Sequence, residues 1–148
     1  MHDGKLNGAL ALGLLLAIAL ACNFNVSTAR LDNARLSTQQ SGDPQANNFK
    51  ARDTVYVVFD VRGTSGKMKV NGQLIAENVE GLSQNEKLAE VPLEVPGDTT
   101  GNNFRFTPPQ TSSANGWPAG TYKVQIKLAD EDGDARDEEN LSFMVGGS

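Results

Sequence analysis

The nine residues TYKVQIKLA, at positions 121–129, alternate strictly between apolar and polar side chains up to Leu128. One face of this stretch carries Tyr122, Val124, Ile126 and Leu128. The other face carries Lys123, Gln125 and Lys127. Successive side chains of a strand point to opposite sides, so a period of two predicts a β-strand with one buried face. The stretch therefore predicts a fold that is built from half-buried strands.

The same period recurs elsewhere in the chain. It is sharpest in TVYVVFDVRG at 54–63, which places Val55, Val57, Phe59 and Val61 on the inward face. On the outward face of that run, Tyr56 and Val58 predict either a binding patch or contact with a neighbouring loop. Weaker runs are EVPLEV (90–95), NFRFTPP (103–109) and ENLSFMV (139–145). Because Pro92 cannot donate a backbone hydrogen bond, EVPLEV predicts an edge strand.

Turn signals separate these runs. Asn71-Gly72 stands between KMKV and QLIA and predicts a tight hairpin, since a type I′ turn needs positive φ at both central residues. We expect further turns in GDTTGNN (97–103) and DEDGDARDEE (130–139). GTSGK at 63–67 lacks the spacing of a phosphate-binding loop and predicts a hairpin loop.

Six or seven short strands with turns between them predict an antiparallel sandwich or barrel. No run after residue 22 has a helical period over three turns. The stretch STARLDNARLS, at 27–37, has weaker patterning and predicts a first strand or a short helix. The fold class that follows is all-β, with about seven strands and a sandwich domain at 51–148.

WPAGTYKVQI, at 117–126, resembles the segment that enters the sixth strand of fibronectin type III and other immunoglobulin-like domains. The resemblance implies that Trp117 closes an end of the sandwich, that Gly120 supplies a turn conformation, and that the Tyr122 hydroxyl bonds back to the backbone. The alternative for Trp117 is a platform on which a sugar ring stacks.

Residues 1–21 have the three parts of a secretory signal: a short start containing Lys5, thirteen apolar or glycine residues at 9–21, and small residues at the cut site. The segment IALAC ends on Cys22 and resembles the lipobox of bacterial lipoproteins. That resemblance implies cleavage before Cys22 and a diacylglycerol on its thiol. Ala19-Leu20-Ala21 also fits the cleavage rule of ordinary secreted proteins, which is the alternative. Residues 22–50 are polar and predict a lipidated N-terminus with a tether, which includes the possible first strand.

Composition excludes several functional classes. The net charge is −5 over 148 residues, so the chain does not predict a nucleic-acid partner. One cysteine and one histidine exclude a Cys/His zinc site and a disulfide framework. With His2 in the leader and no nucleophile motif, the chain predicts no catalytic residue and no enzyme.

The run at 130–139 holds seven acidic residues. Asp130, Asp132 and Asp134 match the first three ligand positions of an EF-hand loop, but Ala135 stands where that loop needs glycine. The run predicts a solvated hairpin tip turned by Asp132-Gly133, with Ca²⁺ binding as the alternative and no other cofactor.

The sequence as a whole predicts an exported, non-catalytic β-sandwich that is lipid-anchored at Cys22 in the cell membrane or outer membrane. It would act in the periplasm or on the cell surface, with an envelope protein or a glycan as partner. The alternative function is a calcium- or carbohydrate-binding accessory domain that uses the acidic run and Trp117.

Overall fold

The computed structural model describes residues 28–109 and 116–146, and its secondary structure there is entirely β. The strands are β1 (Arg30–Ser37), β2 (Asn48–Phe49), β3 (Val55–Arg62), β4 (Met68–Val79), β5 (Glu86–Val95), β6 (Thr99–Phe106), β7 (Gly120–Asp130) and β8 (Ala135–Val145). They form a three-stranded sheet in the order β1-β3-β6 and a five-stranded sheet in the order β2-β8-β7-β4-β5.

Nearly every strand pair is antiparallel; β2 and β8 are the parallel pair. The chain passes from one sheet to the other after β1, β2, β3, β5 and β6. This layout, with β1, β3 and β6 in one sheet and β4, β7 and β8 in the other around one core, is that of a two-sheet β-sandwich. The predicted fold class is confirmed.

The core lies between the two central strands, β3 and β7. The four inward residues of β7 are fully buried, as the alternation predicted: Tyr122, Val124, Ile126 and Leu128. The same holds for β3: Val55, Val57, Phe59 and Val61. Each buried aliphatic or aromatic side chain of this size contributes about 1.5–3 kcal/mol of transfer free energy, so these two strands carry much of the hydrophobic stabilisation.

The hairpin predicted at Asn71-Gly72 is wrong. β4 runs without a break from Met68 to Val79, and both β5 and β7 pair along it. Gly72 is buried, and a Cβ built on it would lie 2.6 Å from the ring of Phe104 in the opposite sheet. The close approach of that ring requires a glycine at position 72, so Gly72 marks a packing contact and not a turn. The loop at 63–67, also predicted to close a hairpin, connects the two sheets instead.

The edge position of β5 is confirmed. Pro92 lies in the outermost strand of the five-stranded sheet, opposite Asn71 of β4. The turns predicted at 97–103 and 130–139 are shorter than expected, because β6 already begins at Thr99 and β8 at Ala135. The turn at the acidic run is closed by the N–H of Gly133, which donates to the carbonyl of Asp130 at 3.0 Å.

Much of the stretch assigned to a polar tether is folded, from Thr28 onwards. Its predicted first strand is β1, and the short helix is excluded. A bulge between Asp32 and Arg35 interrupts the pairing of β1 with β3, and Asn33 takes a φ of 51° there. Because a bulge shifts the alternation by one residue, Leu31 and Leu36 both face the core although they are five positions apart.

Val58, predicted to point outward, is 1% exposed. In the sheet it lies between Arg35 of β1 and Asn103 of β6. The Arg35 guanidinium donates to the carbonyls of Asn33, Ser41 and Gly42, which fastens loop 38–44 beside it. Val58 is therefore covered by its neighbours, and of the pair Tyr56 and Val58 only the half-buried Tyr56 stays open.

We expect Gly72→Ala to lower the free energy of unfolding by about 1–3 kcal/mol, because the added methyl group overlaps the Phe104 ring and forces the sheets to shift. Urea denaturation measures this change. Gly66→Ala is the matched control, since a Cβ at Gly66 meets nothing within 4 Å. Equal stability of the two variants would contradict the packing role of Gly72.

Candidate functional site

Trp117 is a structural residue in this fold. Its indole is 3% exposed, and Nε1 donates to the carbonyl of Asp53 at 2.7 Å. The ring meets Tyr122 and Phe143 edge to face, at centroid distances of 5.2 and 5.7 Å. These contacts occupy the ring as a plug at one end of the sandwich. The sugar-stacking alternative for Trp117 fails, because no open ring face remains.

The residues that follow Trp117 take the roles that the resemblance implied. The Tyr122 hydroxyl donates to the carbonyl of Pro118 at 2.5 Å, and burial raises the pKa of Tyr122 to about 12. Gly120 has a φ of 149°, and a Cβ there would lie 2.3 Å from the carbonyl oxygen of Asn78. A side chain at position 120 would strain the backbone and collide with β4.

The acidic run is organised around Asp130. Its carboxylate accepts the backbone N–H groups of Asp132 and Asp134 at 3.0 Å and pairs with Arg136 at 2.6 Å. The hydrogen bond from Arg136 and the bond from the Asp134 amide outweigh burial and lower the pKa of Asp130. The side chain thus stabilises its own turn. Within the described segments, no three His, Cys, Asp or Glu side chains come together in a way that could hold a metal ion.

Cys22, the predicted lipidation site, lies outside the described residues. No helix long and apolar enough to cross a bilayer occurs in residues 28–109 and 116–146.

Asp60 lies in β3 and was not selected from the sequence. It forms hydrogen bonds to both neighbouring strands, β1 and β6, at the places where their pairing with β3 is irregular. It lies on the outer face of the three-stranded sheet and is 7% exposed. Its carboxylate accepts the side-chain amide of Asn33 in β1 and the backbone N–H of Gly101 in β6, both at 2.9 Å. Burial opposes ionisation, but the bonds from Asn33 and Gly101 and the charge of Arg62 together lower the pKa of Asp60. The signal in the sequence is a lone acid inside an otherwise apolar strand.

Glu90 anchors a polar cluster on the outer face of the five-stranded sheet. Its carboxylate accepts hydrogen bonds from Lys87, Asn71 and Gln73 at 2.8, 2.9 and 3.2 Å, which lower its pKa to about 2. The Oδ1 atom of Asn71 is buried and has no hydrogen-bond partner among the described residues.

An open cleft lies along one side of the sandwich, between β1 of one sheet and β8 of the other. Its volume is about 380 Å³. We call it the side cleft and define it by its apolar lining residues: Ala34, Leu36, Ala46 and Leu141. Arg35, Gln45, Asn47 and Ser142 complete the lining. Of the four apolar residues, Ala34, Ala46 and Leu141 remain partly exposed.

The side cleft has a free strand edge as one wall. β2 pairs with β8 only at Met144 and Val145, and the N–H of Met144 donates to the carbonyl of Asn47 at 2.9 Å. Since alternate backbone groups of a strand point the same way, the N–H and C=O of Ser142 and Asn140 also point away from β7. No strand in the described part of the chain pairs with β8 on that side before Met144.

In comparisons with known proteins, no family model matches the chain, and no curated protein matches it.

We expect Tyr122→Phe to lower the free energy of unfolding by about 1 kcal/mol, because the Pro118 carbonyl loses its donor while the ring packing is kept. Thermal or urea denaturation measures this loss. Tyr56→Phe is the control, since Tyr56 is the other tyrosine and its hydroxyl has no hydrogen bond in the described structure. Equal stability of Tyr122→Phe and the unmodified protein would remove the role of the hydroxyl.

Asp60→Asn should destabilise the fold by about 1–3 kcal/mol at pH 7, because an amide offers one acceptor oxygen to two donors. The folded-state pKa of Asp60 lies below its ordinary value of 3.8, so its contribution is complete above that value and is lost as the pH falls through the folded pKa. The gap between the two proteins should therefore begin to shrink as the pH falls to about 3.8 and should continue to shrink at more acid pH.

Urea denaturation at a series of pH values measures this gap. Asp32→Asn is the control, because Asp32 lies beside Asp60 in the sheet but accepts only the N–H of the next residue, Asn33. A gap for Asp60→Asn that stays constant down to acid pH would contradict the role of its ionised carboxylate.

Proposed function

We propose that the protein is a non-catalytic binding or structural module of the cell envelope, exported by residues 1–21 and held to a membrane by a lipid on Cys22. The observation that carries this proposal is the position of the only cysteine in the chain, directly after the apolar run at 9–21. A cysteine placed there at random is improbable, and the small residues before it suit a signal peptidase.

The length of the connection supports a closely held domain. Five residues separate Cys22 from Thr28. Six extended residue steps span at most about 20 Å. The Thr28 hydroxyl donates to the carbonyl of Gly63 at 2.8 Å, which places Thr28 beside loop 63–67. A lipid on Cys22 would therefore keep that end of the sandwich near the bilayer.

The charges of the described carboxylates support a non-catalytic role. Where the pKa of an aspartate or glutamate is shifted, as in Asp60, Glu90, Asp98 and Asp130, it is shifted downward. A general acid or base works best with a pKa near the working pH. These four groups stay ionised near neutral pH and are bonded within the fold, which suits stabilisation of the structure.

Intact mass analysis of the membrane fraction of the native host tests this proposal. We expect the mass of the chain from Cys22 plus a diacylglycerol, because lipidation precedes cleavage at a lipobox. Cys22→Ser should remove the lipid and release the protein from the membrane fraction. Ser27→Ala is the control, since it changes the same segment and keeps the thiol. An unmodified mass in the soluble fraction would instead establish an ordinary secreted protein.

A further inference from the structure

The outer face of the three-stranded sheet carries an excess of arginine. The charged residues of β1, β3 and β6 are four arginines and two aspartates: Arg30, Arg35, Arg62, Arg105, Asp32 and Asp60. Each lies at, or directly opposite, a β3 position that alternates with the buried inward residues, so all six point away from the core. In the strands of the five-stranded sheet, acidic residues instead outnumber basic residues by eight to five. A chain of net charge −5 thus has one positive sheet face, which we call the arginine face.

Two arginines of this face have no partner within the described part of the chain. Arg30 and Arg105 are exposed and form no hydrogen bond or ion pair there. Arg30 also lies directly opposite Arg62, and like charges at such a position repel each other. The Arg62 guanidinium is 3.6 Å from the Asp60 carboxylate, and its side chain stays 36% exposed. An anionic group that bridged Arg30 and Arg62 would remove this repulsion.

The connection to Cys22 leaves the domain beside the arginine face. Thr28 is bonded to the carbonyl of Gly63, which directly follows Arg62, and Thr28 precedes Arg30 by two residues. Eight extended residue steps from Cys22 to Arg30 span at most about 27 Å. A lipid on Cys22 would therefore confine this face near the bilayer, and only the orientation of the domain would remain to be decided.

The acidic turn between β7 and β8 opposes an upright orientation of the domain. Met68, which follows loop 63–67, pairs with Asp130, so this turn lies at the same end of the sandwich as the tether. A bilayer that contains anionic lipids repels an acidic tip that points at it. Because the turn belongs to the five-stranded sheet, tipping the domain onto the arginine face moves the turn away from the bilayer.

We propose that the arginine face is the surface by which the tethered domain lies on a bilayer of anionic lipids, with Arg30, Arg62 and Arg105 on the headgroup phosphates. A guanidinium group forms paired hydrogen bonds with phosphate oxygens, which suits this partner. Arg105 lies opposite Tyr56, six positions from Arg62 along β3, so the arginines meet the surface at two places about 20 Å apart.

This inference rests on the proposed function for the tether alone. The test supplies the tether chemically, because a maleimide lipid reacts with the thiol of Cys22, the only cysteine of the chain. A failed mass experiment would remove the natural anchor and leave the result on such vesicles unchanged. A failed orientation experiment would leave the natural anchor in place.

Residues 22–148, which include every described residue, are coupled in this way to vesicles of phosphatidylcholine, either pure or with phosphatidylglycerol as about a third of the lipid. A dansyl lipid in the vesicles accepts energy from Trp117, the only tryptophan, and reports its distance from the headgroups. Trp117 is bonded to Asp53 at one end of β3, and the tether leaves at the other end, about 25 Å away. We expect more energy transfer with the anionic vesicles, because tipping brings the far end of the sandwich down to the bilayer.

A pair of matched variants tests which face is responsible. The double variant Arg30→Gln, Arg105→Gln should lower the ratio of tipped to upright domains by about 25-fold, because each arginine near an anionic surface contributes about fivefold. The control is Lys123→Gln, Lys127→Gln, which changes the net charge equally on the outer face of the other sheet and should keep the transfer. Urea denaturation verifies that both variants fold. Salt at about 0.5 M should abolish the difference between the two kinds of vesicle.

Four results would overturn the proposal. The first is equal energy transfer with neutral and anionic vesicles. The second is unchanged transfer in the arginine variant. The third is an equal loss of transfer in the arginine and lysine variants, which would mean that net charge alone sets the orientation. The fourth is self-association of the chain without lipid that the arginine variant abolishes, which would mean that a second copy covers the arginine face.

Discussion

The contact between the inward faces of β3 and β7 is the constraint on which the rest of the structure depends. Each strand buries four consecutive inward side chains completely, and the two strands lie in the middle of opposite sheets. The only cysteine is Cys22, so no disulfide can join the sheets of the described domain. Close packing must therefore hold them, and this explains why a single ring, that of Phe104, fixes position 72 as glycine.

Polar side chains perform a different task, on the outer face of the three-stranded sheet. Asp60 ties the bulge at Asn33 to the bend at Gly101, and Arg35 ties loop 38–44 to β1. A bulge leaves backbone groups without a ladder partner, and a buried unpaired group is costly. These two side chains satisfy such groups. The sheet can thus bend around the core without losing hydrogen bonds.

Local patterning was sufficient to predict most strands, because each of β3, β6, β7 and β8 has one face in the core. It failed wherever a distant residue decided the local structure. The pair Asn71-Gly72 has the composition of a turn, but position 72 holds a glycine because the ring of Phe104, thirty-two positions further along the chain, packs against it. In β1, the bulge at Asn33 breaks the alternation, so the strand was only weakly indicated. Trp117, Gly120 and Tyr122 were placed correctly because they form one short motif in the sequence, although Trp117 and Gly120 make their contacts with distant residues, Asp53 and Asn78.

The side cleft could not be predicted from the sequence, because it results from the way in which the chain changes sheets. β1 pairs with β3 in one sheet, and the chain then needs loop 38–47 before β2 reaches β8 in the other. A first strand that joined β8 along its whole length would close the gap. Since β2 is only two residues long, most of the β8 edge stays unpaired. The alternation along β8 places Glu139 beside this unpaired stretch, on the face of the strand that turns toward the other sheet. An apolar residue at position 139 would leave an edge prone to self-pairing. The Glu139 carboxylate instead gives this edge a charge, and charged side chains on an edge strand oppose its pairing with the edge of another sheet.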